Sequence, residues 1–95
     1  MTAIIGRRKI FPPTAKEVAK QQTLAHLKFI AEYFNKTWEK TTENNGYFLG
    51  KLHKDGNIEV FQHKNTKHAG VIYFKNPEDA EEAIRILGKE ISNLI

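Results

Sequence analysis

The stretch from His68 to Ile91, HAGVIYFKNPEDAEEAIRILGKEI, constrains the fold more than any other part of the chain. It reads as a strand, a cap and a helix in immediate succession. Val71 to Phe74 is a β-rich run, apolar on both faces, so both sides of it are expected to be covered or adhesive. Asn76 is a strong N-cap, and Pro77 suits the first helical position, where its missing N–H would have had no partner. Glu78, Asp79, Glu81 and Glu82 follow at the positive end of the helix dipole. Ala80, Ala83, Ile84, Leu87, Ile91 and Leu94 recur as one apolar stripe. Gly88 either ends this helix, with KEISNLI as a further turn, or is tolerated inside it. Ile86 falls off the stripe as an isolated exposed apolar residue.

A second helix is predicted upstream. Pro12 and Pro13 block backward extension. Thr14 and Glu17 have the spacing of a capping box, the hydroxyl accepting from the Glu17 amide and the carboxylate returning to the Thr14 amide. Leu24, Leu27, Ile30, Phe34 and Trp38 then recur at spacings of three and four, with Phe29 and Tyr33 widening the face, which predicts a long amphipathic helix ending near Lys40. Residues 1–11 show neither period and carry Arg7, Arg8 and Lys9 in a row, so a flexible basic arm is expected there. Residues 12–95 are then a single domain, since 95 residues suffice for one core only.

Between the helices, GYFLGKLHKDGNIEVFQH predicts a hairpin. A two-residue turn at Asp55–Gly56 would pair Ile58 with His53 and Val60 with Lys51, mixing polar and apolar side chains on both faces. A three-residue loop, Lys54 to Gly56 with Gly56 left-handed, instead gathers Phe48, Leu52, Ile58 and Val60 on one face and is preferred. The other face then receives Tyr47, Leu49, Lys51, Phe61 and His63. The expected fold is α+β: a long N-terminal helix, a three-stranded antiparallel β-meander and a C-terminal helix. Its core is expected to hold Leu24, Leu27, Phe34, Trp38, Phe48, Ile72, Phe74, Ala83, Ile84 and Leu87.

Charge is unevenly spread. Through Lys75 there are 13 basic and 6 acidic residues, and from Asn76 onward 2 and 5. The basic part can face an anionic partner and the last helix cannot. With no cysteine, disulfides, thiolate metal sites and thiol nucleophiles are excluded, and a reducing cytoplasm is expected. The apolar run AII is shorter than a membrane span or signal-peptide core, so no membrane association is expected. Neither catalytic residues nor a cofactor is expected: His26, His53, His63 and His68 stand in no nucleophile motif, and there is no Gly-rich phosphate loop. His63 and His68 are five apart across a loop, which is a poor zinc spacing, and no metal is expected.

On these registers Tyr47, Phe61 and Tyr73 form an aromatic row edged by Lys51, His63, Lys64 and Lys67. Three readings of that face stand open. It is an intramolecular core, a protein interface that includes self-association as a homodimer, or a platform for single-stranded nucleic acid, with aromatic rings for the bases and Lys for the phosphates.

Two resemblances bear on the choice. HAGVIYFKNPEDAEEAIRILGKEI is similar to the third strand and second helix of the RNA recognition motif, but aligned on Phe74 the stacking positions fall on Ala69 and Val71, neither of them aromatic. More of the chain, residues 11 to 90, resembles a widespread set of small uncharacterised proteins encoded by bacteriophages and prophages. The shared pattern is an FPPT segment, a helix ending at a Trp, a β-meander, and a strand and helix of the form YFKxxEDAxxAIxxLG. That resemblance implies an accessory phage protein in a bacterial host cytoplasm and brings no catalytic residues. The expected function is therefore a non-enzymatic protein-interaction module acting on a host or phage protein, such as an inhibitor of a host defence system. The alternative is a nucleic-acid binder using the sheet face and the Arg7–Arg8–Lys9 arm.

Overall fold

The computed structural model describes residues 3–5, 8–10, 14–51 and 56–94, the first two runs as backbone alone. Arg7, Pro12, Pro13, Leu52, His53, Lys54 and Asp55 lie outside the described residues, as do the side chains of Arg8 and Lys9. Within the segment expected to be an arm without strands, β1 (Ala3–Ile5) pairs antiparallel with β2 (Arg8–Ile10). Strands of three residues are too short for a period of two to show in the sequence.

Helix α1 spans Ala15–Asn35. Thr14 caps it, its hydroxyl accepting from the Glu17 amide at 3.1 Å. The Glu17 carboxylate meets the Thr14 hydroxyl, also at 3.1 Å, instead of closing the reciprocal box on the Thr14 amide. The helix stops short of Lys40. Lys36 turns to a φ of 54° while its amide bonds the Glu32 carbonyl at 3.0 Å, so Trp38 lies beyond the helix and not on its stripe. Leu27, Ile30 and Ala31 are buried, whereas Leu24, expected in the core, is exposed.

Strand β3 (Asn45–Lys51) pairs antiparallel with β4 (Ile58–Lys64), Phe48 opposite Phe61 and Leu49 opposite Val60. This register is one residue beyond the one preferred from the sequence, although Gly56 does take the left-handed conformation, φ 72°. One residue is decisive, because a slip of one moves a whole strand's side chains to the opposite face. Tyr47, Leu49, Ile58 and Val60 now share a face with Lys51, Gln62 and Lys64, while Phe48, Phe61 and His63 share the other with Gly46, Gly50 and Glu59.

The described residues show no three-stranded meander. The described sheet has two strands, and the predicted third is reduced to one bridge, in which Phe74 exchanges both backbone bonds with Tyr47 at 2.6 and 2.9 Å. Phe74 therefore lies beside β3, on the edge away from β4, and not next to β4 as a meander requires. The outward groups of this segment are taken by a side chain. Asn35 at the end of α1 donates to the Tyr73 carbonyl at 2.7 Å and accepts from the Lys75 amide at 3.1 Å, as a neighbouring strand would. The Lys75 ammonium in turn covers the Phe34 carbonyl at 2.6 Å, one of the free carbonyls at the helix end.

Helix α2 (Pro77–Leu87) begins as the sequence indicates, with the Asn76 side chain accepting from the Asp79 amide at 2.8 Å and Pro77 in its first turn. Gly88, at φ 54°, ends it, and a 3₁₀ segment follows over Gly88–Leu94. Leu27, Ile30, Ala31, Phe74, Ala80, Ala83 and Leu87 form the core, against which Phe34, Tyr47, Leu49, Val60 and Ile72 pack. Both helices thus serve the Tyr47–Leu49–Val60 side of the sheet. Among the core residues expected from the sequence, Ile84 is half-buried, and Phe48 faces the other way.

Candidate functional site

The face of β3–β4 turned away from the core carries a ring cluster. Phe48 lies at the centre, 5.9 Å from Phe61 in a stacked arrangement, 4.3 Å from His63 and 5.9 Å edge-on from Tyr73, between ring centroids. His68 lies 4.6 Å from His63. Two glycines make room. A Cβ on Gly50 would stand 2.6 Å from the Phe61 ring, and one on Gly46 would run into the Lys40 side chain, which passes beneath. Lys40 is buried to 4% exposure, its ammonium bonded to the Thr41 and Asn44 carbonyls and 5.6 Å from the centre of the Tyr73 ring, within cation–π range.

The Tyr73 hydroxyl orders the polar part of this cluster. It accepts from the His68 amide at 3.0 Å and lies 2.7 Å from His63 Nδ1. With Nδ1 unprotonated, the hydroxyl donates its single proton to the ring. Protonating Nδ1 would reverse that bond. Burial among the rings, then the neighbouring His68 and Lys40, hold the His63 pKa below its usual 6.5. The folded chain then binds this proton less readily than the unfolded chain does. His63 withholds no stability above about pH 6.5, and stability declines as pH falls from there toward its folded pKa, below which the loss is complete. Urea midpoints measured in dilute solution between neutral pH and pH 5 are expected to fall, with a shallower slope in His63→Gln. An equal slope in the variant would refute the assignment.

The residues singled out from the sequence divide between surfaces. Phe61, His63 and Tyr73 belong to the ring cluster, although Tyr73 is itself buried at 6% exposure. Tyr47, Lys51 and Lys64 lie on the opposite face, where Tyr47 packs on the core and its hydroxyl accepts from Gln62 at 3.0 Å. Lys67 is exposed beside Trp38, Lys40 and Tyr73. The continuous row of aromatics edged by lysines is therefore broken up, and Phe48, His68 and Lys40 take places in the cluster that the other register hid. Among the described residues no group of three His, Cys, Asp or Glu side chains could hold a metal ion, and no helix is long and apolar enough to cross a membrane.

A second surface was not foreseen. Phe29 and Tyr33 of α1 are 68% and 69% exposed, and across the seam between the helices Ile86 of α2 is 47% exposed. With His26, Ile30 and Phe34 they line a cleft of about 260 Å³. The sequence signal was an aromatic pair four residues apart, which puts both rings on one strip of helix surface. That strip lies to the side of the one holding Leu27, Ile30 and Ala31. No protein family, curated protein or solved structure matches the chain.

Proposed function

We propose that the chain is a non-enzymatic protein-binding module whose partner, a bacterial host protein, docks on the Phe29–Tyr33–Ile86 surface. The observation that carries this reading is the exposure of two large aromatic rings and an isoleucine as one contiguous patch across the α1–α2 seam. Scattered exposed apolar residues are ordinary, but grouped ones rimmed by polar residues mark contact sites, and buried aromatics carry much of the affinity of an interface. The resemblance of residues 11–90 to small phage-encoded proteins supports a role as an accessory factor in the host cytoplasm, in the manner of an inhibitor that occludes a host target.

The titratable side chains support a binding role over a catalytic one. His63 is engaged with Tyr73, and His26 Nδ1 lies 2.9 Å from the Glu90 carboxylate, where it ties α1 to the 3₁₀ segment. A second reading, single-stranded nucleic acid on the sheet face, is favoured by the Phe48–Phe61–His63 ring cluster. It is weakened by the departure of Lys51 and Lys64 to the other side of the sheet.

One experiment separates the two. Tagged wild-type chain and a Phe29→Ser/Tyr33→Ser variant are used to capture partners from bacterial lysate, with and without nuclease, at about 0.5 M salt, where the Debye length is a few Å. The protein-binding reading expects one discrete protein that survives both treatments and falls at least tenfold in the variant. Material that vanishes with nuclease or salt and is retained equally by the variant would transfer the function to the sheet face.

A further inference from the structure

Among the described residues, strand β4 has a neighbour on one side only. Because Tyr47 directs its backbone groups to Phe74, the flanking residues of β3 direct theirs to β4, and the ladder bonds of β4 come from Glu59, Phe61 and His63. The amides and carbonyls of Val60 and Gln62 consequently point outward, and no described residue bonds them. An open edge of seven residues is a template for strand addition, and proteins that do not use such an edge usually block it with proline, a bulge or a covering element. Ile58–Lys64 holds no proline, and although α2 packs against β4, no described strand pairs with its outer edge.

This edge can be paired with a second copy of itself. Laid antiparallel against a second β4 in the register that overlaps all seven residues, the two-fold axis passes through Phe61. Val60 and Gln62 then exchange backbone bonds with Gln62 and Val60 of the second copy, so every outward group finds a partner. On the ring-bearing face Phe61 meets Phe61, and Glu59 meets His63, twice over. These are non-hydrogen-bonded pairs, the closer of the two kinds, with Cα atoms about 4.5 Å apart. Donor chemistry is compatible: the Glu59 carboxylate is free of bonds to other described residues, and in the tautomer that accepts from Tyr73 at Nδ1, His63 carries a proton on Nε2. On the opposite face Ile58 meets Lys64, which places no like charges opposite each other.

We infer that β4 is a self-association edge, and that two copies of the chain pair β4 to β4 about Phe61 into a continuous four-stranded antiparallel sheet with a stacked ring surface running across the junction. The interface is isologous, so it closes at two copies and does not propagate into a fibre. It is separate from the Phe29–Tyr33–Ile86 surface, so a dimer would present two copies of that surface.

The test is sedimentation equilibrium of the full chain over a concentration series reaching the millimolar range, for wild type, Gln62→Pro, Glu59→Lys and Phe29→Ser/Tyr33→Ser. Proline at position 62 removes an amide that points outward and leaves the β3 ladder intact. The expected result is a concentration-dependent wild-type dimer, a Gln62→Pro chain that stays monomeric with unchanged circular dichroism, and a dimer weakened at least tenfold in Glu59→Lys. The double variant is expected to dimerise like wild type. If Gln62→Pro does not fold, Glu59→Lys, an exposed surface change, decides alone. A wild-type chain that is monomeric throughout, or a dimer that keeps its strength in both edge variants, overturns the inference.

Discussion

Replacing Phe74 by alanine is expected to remove about 3–5 kcal/mol of stability, the range for truncating a buried aromatic ring. Phe74 is at 0% exposure and packs with Leu27, Ile30, Ala31, Ala80, Ala83 and Leu87, so it touches both helices as well as the sheet. Its backbone is fastened on two sides, by the paired bonds to Tyr47 and by the Asn35 amide on the adjacent groups. The surroundings therefore cannot close over the space the ring leaves, and a cavity that cannot collapse puts the cost at the upper end of its range. Small domains hold about 5–15 kcal/mol in all, so this one change consumes a large share. Urea unfolding followed by circular dichroism measures it, with Phe74→Leu as a milder companion. A loss below about 1 kcal/mol would mean that the ring is not the junction of the three elements.

The second large effect is expected at Asn35. Its amide supplies one donor and one acceptor to the Tyr73 carbonyl and the Lys75 amide, at 2.7 and 3.1 Å. Asn35→Ala leaves the part-buried Tyr73 carbonyl without its protein partner while the exposed Lys75 amide returns to water, and about 1–3 kcal/mol should be lost, the cost of one orphaned buried group. Asn35→Asp is the informative contrast. It keeps an acceptor for the Lys75 amide but sets a carboxylate oxygen against the Tyr73 carbonyl, so it should not restore stability despite its shape. Hydrogen exchange adds a local readout: the Lys75 amide is expected to exchange faster in Asn35→Ala, and the amides of α2 are not, under conditions where global unfolding is rare. If Asn35→Asp matched wild type, the donor to Tyr73 would carry no weight.

These two residues show where the sequence stopped being legible. Asn35 looks like an ordinary polar residue at the end of a helix, and nothing local reveals that its amide replaces a missing strand. Phe74 was recognised as core, but the run Val71–Phe74 promised a strand that the structure reduces to a single bridge. Strand propensity largely measures how a side chain fits a half-buried pleated surface, and in this segment α1 provides that surface in place of a third strand. The candidate site failed at a different point. Tyr47, Phe61, His63 and Tyr73 were singled out, but which of them share a face depends on hairpin register, and the residues of the connecting loop did not decide it.

The elements whose signals are local were legible in the sequence: the Thr14 and Asn76 caps, Pro77 in the first turn of α2, and the α2 stripe that buries Ala80, Ala83 and Leu87, whereas Gly88 left the end of that helix open. Each rests on atoms within a few residues of one another, so the chain states them without knowing its fold. Packing set the β3–β4 register, the placement of Phe74 beside β3, the ends of α1 at Asn35 and of α2 at Gly88, and the gathering of Phe29, Tyr33 and Ile86 into one patch. Those features join residues far apart in the chain, and their energies arise from which faces find partners, a property that packing creates and no local pattern contains.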